Sequence, residues 1–360
     1  MAEGKYGMLF RQLFDGASCA YTYFLSAGEG REALIIDPVL DHLDRYLQLL
    51  EELDLTLAKA IDTHVHADHI SAIGALRDKT SCITMMGKQS SVDVVSIRID
   101  DGDRIEIDGV TLEAIYTPGH TNDSYCFAMP DRVFTGDTLF IRGTGRTDFQ
   151  HGNAMAGYDS LFNKLLKLPD ETLVYPGHDY KGDTVSTIGE ERRFNPRLQV
   201  NSAEAYAEIM NNLGLPDPKM MAVAVPANMK MGMRQADAEI AERSLNPSDA
   251  QKRLDSGGTI FVDLRESTER AKTGVIAGSV HVPYQQLSDF IKPGGALSAL
   301  AGQGDTPILL YCAYGERSAL ALKTMRVAGF KNIRHLAGGI DAWINSSAPV
   351  EAPGEAPGAD

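Results

Sequence analysis

The stretch Thr63-His64-Val65-His66-Ala67-Asp68-His69 sets three imidazoles and one carboxylate within seven residues, directly after an apolar run. Few structural demands produce such a stretch, and binding a metal does. Imidazole with carboxylate suits zinc or non-haem iron, and no cysteine lies nearby to build a thiolate-rich structural zinc site. The spacing predicts a catalytic metal site with an open coordination position. Five of the nine histidines fall in three short segments: this one, Thr117-Pro118-Gly119-His120-Thr121, and Tyr175-Pro176-Gly177-His178-Asp179. Phe134-Thr135-Gly136-Asp137-Thr138 adds a carboxylate at an expected strand end. Most of these candidates follow β-rich runs at turns marked by Pro or Gly, where a rigid scaffold presents loop side chains to a common pocket. A single loop histidine is usually only that; several segments sharing one chemistry point to a site.

A second constellation lies far along the chain. Cys312-Ala313-Tyr314-Gly315-Glu316-Arg317-Ser318 follows the apolar run Ile308 to Tyr311 and precedes a helical stretch, Ala319 to Met325. At such a junction a cysteine faces loop amides and a helix N-terminus, which favour thiolate over thiol, and Arg317 would add positive charge. The four residues between Cys312 and Arg317 make a tight ring, sized for a small anionic group on sulfur and too small for phosphate. Cys19, Cys82 and Cys126 sit in apolar or alternating segments and read as small buried hydrophobes.

The elements that must position these residues divide in two, because 360 residues exceed one comfortable core. From Gly7 to about Met129 the pattern is mostly short strands, such as Ala33 to Ile36, and Arg104 to Ile107 turning at Asp108-Gly109 into Val110 to Leu112. Leu43, Tyr46, Leu47, Leu50 and Leu53 recur at helical spacing, and a second helix is expected to begin within the histidine motif, turning Ile70, Ile73 and Leu76 inward. Strands mixed with helices, with candidate ligands on the connections, predict a layered α/β sandwich. Between about Ala222 and Leu245 the periodicity weakens, and the Met229 to Met233 run reads as gap-filling methionine at a domain end. Asn246-Pro247-Ser248-Asp249 looks like a helix start. Thr259 to Leu264, Ser279 to Val282 and Ile308 to Tyr311 then read as buried parallel strands with crossovers. The tail from Glu351 to Asp360 is expected to be disordered.

Composition excludes several classes. A net charge of −15 gives no basic face for nucleic acid or an anionic membrane. No segment approaches the roughly 20 apolar residues of a membrane span. Met1 to Tyr6 carries charge early with no apolar core, so no secretory signal is expected. Four widely spaced cysteines suit a reducing cytoplasm better than a disulfide framework.

The Cys312 to Ser318 segment resembles the active-site loop of single-domain rhodaneses, which is one residue shorter than that of related phosphatases. Asp263 with Arg265, Gly278 to Pro283, and Leu336 to Trp343 resemble that family's recurring stretches, and the similarity covers about Pro247 to Val350. Residues 1 to about 235 resemble the metallo-β-lactamase superfamily through the His-x-His-x-Asp-His core. Within it, Ile141 to Gln150, His178 to Gly182, Glu190 to Arg192, Asn195 to Arg197 and Val225 to Met229 are similar to persulfide dioxygenases. Glyoxalase II normally has glutamate after the histidine matching His178, where this chain has Asp179.

The resemblance implies a metallo-β-lactamase αββα sandwich (1–235), a linker (236–246), a rhodanese α/β domain with a parallel sheet (247–350), and the tail (351–360). It implies one Fe(II) per chain held by His64, His120 and Asp137, with positions open for a persulfide sulfur and O2. His66, Asp68, His69 and His178 match ligands of the dinuclear glyoxalase site, and would either orient the iron ligands or hold a second metal. Arg142, Arg146, Tyr180 and Lys181 become candidates for binding glutathione carboxylates. Cys312, with Arg317, would take a sulfane sulfur from thiosulfate, release sulfite and pass the sulfur to glutathione. The iron domain would oxidise the resulting glutathione persulfide to sulfite and glutathione. The alternative is a glyoxalase II-type thioester hydrolase with an attached sulfurtransferase. Homo-oligomerisation is left open.

Overall fold

The computed structural model describes residues 8–230, 238–301 and 306–354. Among these the chain forms two compact units, residues 8–93 with 98–230, and residues 94–97 with 238–354.

The first unit is built on two six-stranded sheets. One runs in the order β1 (Leu9–Phe14), β2 (Tyr21–Ser26), β3 (Glu32–Ile36), β4 (Thr56–Ile61), β5 (Ile83–Gly87) and β6 (Ile97–Ile99). β3, β4 and β5 are parallel neighbours, and Ala33 to Ile36 are fully buried, as expected of strands covered on both faces. The other contains β7 (Arg104–Ile107), β8 (Val110–Tyr116), β9 (Tyr125–Ala128) and β10 (Arg132–Gly136). A short hairpin, β11 (Leu139–Phe140) with β12 (Gly143–Thr144), leads on to β13 (Leu173–Pro176) and β14 (Ser186–Thr187). The order in this sheet is β14-β13-β10-β9-β8-β7, with β10 and β13 parallel. β7 and β8 alternate buried and exposed along their length and turn at Gly109, whose φ of 78° suits the tight connection.

Aromatic side chains pack the two sheets together. Phe10 and Tyr23 from the first sheet meet Phe134 and Tyr175 from the second, with ring centroids 4.9 Å apart for Phe10–Tyr175 and for Tyr23–Phe134. Helices cover the outer faces. The helix Leu43–Glu52 buries Tyr46 and Leu50, and Tyr206 and Met210 of the helix Ala203–Asn211 join Cys126, Val133 and Val174 in one apolar cluster. The architecture is the expected αββα sandwich.

Two local expectations change. The helix expected to begin inside the histidine motif begins at Ile73, because the backbone from His66 to Ser71 is held elsewhere by a side chain described below. The weakly periodic stretch after Ala222 is partly helical, Met221–Asn228, with Pro226 inside it. Of the methionine run, Met231 to Met233 lie outside the described residues.

The second unit has one sheet in the order β15 (Ser244–Leu245), β19 (Ile333–Leu336), β18 (Ile308–Tyr311), β16 (Ile260–Asp263), β17 (Val280–His281), all parallel. The expected linker thus contributes β15 to the sheet, following a short helix at Ala238–Ala241. Asn246 caps the next helix, Pro247–Ser256, by accepting from the Asp249 amide at 2.9 Å. Apolar side chains fill both faces of the sheet, with Leu310, Leu322 and Met325 on one and Phe261, Leu309 and Trp343 on the other. Glu351 pairs with Val275 through two backbone bonds of 2.9 Å, so the tail begins paired, and residues 355–360 lie outside the described residues.

Candidate metal centre and nucleophile loop

In the first unit every candidate ligand follows the C-terminal end of a strand: His64 after β4, His120 after β8, Asp137 after β10, His178 after β13. The sandwich brings these four ends together. Ligand atoms of His64, His120 and Asp137 all lie within 4.8 Å of one another, and the three side chains are buried.

The hydrogen bonds fix which atoms face the centre. The Arg146 carbonyl can only accept, so His120 donates to it from Nδ1 at 2.8 Å and keeps Nε2 bare. Thr63 donates its hydroxyl to Asp37 at 2.9 Å, so it accepts from His64 Nδ1 at 2.9 Å, and His64 also keeps Nε2 bare. Burial and then the neighbouring His66 push His64 well below the ordinary histidine range, which holds it neutral as a ligand must be. Burial alone would raise Asp137, but the charge and hydrogen bond of His178 lead the effects that outweigh it and hold the carboxyl below its usual range, hence anionic. Two imidazoles and one carboxylate fit a divalent ion of the zinc or iron type.

The other histidines are tied into a carboxylate network. His178 lies 2.7 Å from Asp137 Oδ1 through Nδ1 and 2.8 Å from Asp68 Oδ2 through Nε2. Burial opposes charge on that ring, yet Asp137 and Asp68 raise it well above the ordinary range. His69 Nδ1 lies 2.8 Å from the same Asp68 oxygen, and its buried Nε2 has no partner among the described residues. His66 approaches Asp37 at 3.2 Å, and despite burial Asp37 lifts it to about 9. His66, Asp68 and His69 form a second cluster able to hold a metal.

Sequence reasoning missed the residues that hold the loop. Asn228, buried at the end of its helix, accepts from the Ser71 amide and donates to the His66 and His69 carbonyls, each at 2.9 Å. Asp37, Asp123 and Gln150 bond the backbone at Thr63, Val65 and Val65 respectively. Asp37 stands in a left-handed conformation just after β3. Gly177 allows β13 to pass against Asp137, since a Cβ there would press on its carboxylate.

The four candidate substrate contacts separate into two kinds. Arg142 is engaged by Glu190 and by the fully buried Glu191, which also accepts from the Arg142 amide, Ser186 and Asn195. Arg146 makes a fork to Asp148 at 2.6 and 2.7 Å and lies over the Phe149 ring. Tyr180 and Lys181 are exposed, and the Tyr180 ring stacks on His178 at 6.1 Å. Asp179 organises their turn, with Oδ2 accepting from the amides of Lys181, Gly182 and Asp183.

In the second unit Cys312 follows β18, buried to 1% exposure, and the Gly315 amide donates to its sulfur at 3.1 Å. The helix Glu316–Val327 starts directly after, with Gly315 in the left-handed conformation that curls the loop around sulfur. From behind, Ile340 and Asp341 donate to the carbonyls of Cys312 and Ala313 at 2.8 and 3.1 Å. A Cβ at Gly339 would run into those same carbonyl oxygens. Arg317 is fully buried and forks to Glu269 at 2.7 and 2.6 Å, so its charge is compensated, while its Nε has no partner among the described residues. Buried Asp263 and Arg265 form an ion cluster with the half-buried Arg270, Arg265 forking to Asp263 at 2.9 and 2.7 Å.

Comparison with known proteins agrees with both halves. The Metallo-beta-lactamase superfamily matches residues 85–178 and the Rhodanese-like domain matches residues 246–346. Over 234 residues the chain is 46% identical to the human protein named "Persulfide dioxygenase ETHE1, mitochondrial", covering 64% of this chain and 91% of that one. The crystal structure of ETHE1 from Myxococcus xanthus is 52% identical, with a TM-score of 0.60, covering 61% of this chain and 98% of that chain. A metallo-beta-lactamase from Staphylococcus aureus covers 91% of this chain with a TM-score of 0.57, and at 22% identity it shows the fold alone. Among the described residues no helix is long and apolar enough to cross a membrane.

Proposed function

The chain belongs to the persulfide dioxygenase family of the metallo-β-lactamase superfamily and carries a C-terminal rhodanese domain, and from that premise we propose that it is a bifunctional enzyme of sulfur metabolism. The first domain oxidises glutathione persulfide with O2 and water to sulfite and glutathione. The second moves the sulfane sulfur of thiosulfate to glutathione through Cys312. The observation that carries the first half is that ligand atoms of His64, His120 and Asp137 lie within 4.8 Å of one another, with both imidazoles fixed through Nδ1.

His64, His120 and Asp137 would hold one Fe(II) per chain, which supplies the redox chemistry that lets O2 react with a persulfide. The protein's own part is to orient both imidazoles through Nδ1, to keep His64 neutral and to keep Asp137 anionic. Both ring nitrogens of His178 are engaged by carboxylates, which supports one metal over two. Exposed Tyr180 and Lys181 would receive the glutathione carboxylates, whereas Arg142 and Arg146, already paired with acids, would shape the walls beside them.

In the second domain the Cys312 thiolate attacks the outer sulfur of thiosulfate. A sulfur–sulfur bond forms at Cys312, the original one breaks, and sulfite leaves with its electron pair. A glutathione thiolate then takes the sulfane sulfur and restores the Cys312 thiolate. Arg317 Nε, buried and without a partner among the described residues, is available to the substrate anion. The four cysteines are unbridged, in keeping with a reducing compartment, the cytoplasm in this proposal.

Metal analysis together with O2 uptake tests the reading. About one iron per chain and O2 consumption with glutathione persulfide are expected. Asp137→Ala should remove most of the iron by deleting the anionic ligand. Two zinc ions per chain with rapid hydrolysis of S-lactoylglutathione would instead establish the thioester hydrolase.

A further inference from the structure

Cys312 is almost completely enclosed, which leaves its thiol proton little contact with bulk water. A chain of hydrogen-bonding side chains leads away from it. The sulfur lies 3.8 Å from Ser318 Oγ, Ser318 Oγ lies 3.2 Å from His335 Nδ1, and His335 Nε2 lies 2.7 Å from Ser244 Oγ. Cys312, Ser318 and His335 are buried, and Ser244 is half-buried at the start of the sheet's edge strand.

The direction of these bonds follows from one end. Ser244 donates its hydroxyl to the Ile240 carbonyl at 2.9 Å, and a carbonyl only accepts. Ser244 therefore accepts from His335 Nε2–H, which leaves Nδ1 bare. Ser318 donates its one proton to the Gly315 carbonyl at 3.1 Å, and that hydroxyl has to turn to His335 Nδ1, 3.2 Å away, for Nδ1 to accept from it, while Ser318 Oγ can accept from the Cys312 thiol. With the Ser318 hydroxyl turned from Gly315 to His335, the links run from sulfur toward Ser244.

We propose that Ser318, His335 and Ser244 form a proton relay that carries the Cys312 thiol proton to solvent by exchanging the tautomer of His335. The S–H bond breaks and its proton passes to Ser318 Oγ. The former Ser318 proton passes to His335 Nδ1, the Nε2 proton to Ser244, and the Ser244 proton to water. Sulfur is left as thiolate and the imidazole ends neutral, with its proton on the other nitrogen. Ser318 touches the reacting atom; His335 and Ser244 are positioning residues that act through it. The charged groups about the loop are Arg317, its partner Glu269, Glu266 and the buried Glu316. Beside Ser244, Arg243 directs its guanidinium to the Lys331 and Ile333 carbonyls. Burial lowers His335 to about 4, which suits a ring that exchanges tautomers without holding charge.

The relay rests on the reading of Cys312 as the nucleophile. Thiosulfate sulfurtransferase rates of the full chain, measured from pH 6 to 9 for Ser318→Ala, His335→Gln and Ser244→Ala, test it. Each variant should be slowed at pH 6, Ser318→Ala and His335→Gln by about tenfold or more. Each deficit should close toward pH 9, where hydroxide takes the proton directly. Ser244→Ala, at the half-buried end, should show the same profile with a smaller loss and covers the case that a buried variant does not fold. Equal loss at every pH, or no loss, would overturn the relay. Transfer surviving in Cys312→Ser would instead overturn the nucleophile assignment, which separates the two failures.

Discussion

The side-chain amide of Asn228 donates to the His69 carbonyl at 2.9 Å, across 159 residues of sequence. With its further bonds to His66 and Ser71 it keeps the histidine loop out of the helix that its sequence would otherwise extend.

Asn228→Ala should leave two buried carbonyls and one amide without partners, at about 1–3 kcal/mol each before relaxation. A lowered melting temperature and reduced metal content are expected together. Asn228→Asp keeps only the acceptor toward Ser71 and should fall between the two. Wild-type metal content in Asn228→Ala would show that the loop holds its shape unaided.

With thiosulfate and glutathione together, the intact chain should consume O2 and form sulfite, since one reaction makes the other's substrate. Cys312→Ser should abolish this coupled uptake while still oxidising supplied glutathione persulfide. Mixing Cys312→Ser with His120→Ala should restore part of the uptake through diffusing persulfide. An O2 electrode distinguishes these outcomes, and no thiosulfate-dependent uptake with both half-reactions active would break the coupling.

Glu269→Gln removes the charge that compensates the fully buried Arg317. Breaking a buried pair from one side costs about 3–5 kcal/mol. Trp343, the chain's single tryptophan and fully buried beside β18, reports unfolding of the second unit alone by fluorescence. A denaturation midpoint unchanged from wild type would mean that Arg317 is compensated elsewhere.

His335 also sets a pH dependence of stability. Its folded value, lowered by burial to about 4, lies below the roughly 6.5 of an unfolded histidine. Between those values the unfolded chain binds the extra proton, so stability is whole above about pH 6.5 and is lost as pH falls toward 4. The largest loss from this group is about 3 kcal/mol. His335→Gln should flatten that part of the Trp343 unfolding profile, and an unaltered slope would assign the loss to other groups.

The metal site was legible in sequence because its chemistry is local. His64, His66, Asp68 and His69 crowd one loop, and His120, Asp137 and His178 each sit beside a turn signal after a strand. Cys312 was legible for the same reason. Asn228 was not, since a carboxamide at the end of an apolar segment carries no mark of the loop it reaches. The charges of Arg142 and Arg317 were visible, but the acids that occupy them were not. Glu191 and Glu269 lie 49 and 48 residues from Arg142 and Arg317, and only the fold brings each pair together.

Gly339 shows how far the nucleophile's requirements extend from sulfur. It offers no functional group, yet any side chain there would collide with the carbonyls that Ile340 and Asp341 clamp from behind. In a saturation library selected for sulfur transfer, position 339 should tolerate substitution as poorly as Cys312 itself. Variants there should keep a chemically intact thiol and fail because the ring around it has been pushed open. A ranking of positions by distance to the sulfur would pass over this one, because its constraint is carried by backbone oxygens on the far side of the loop.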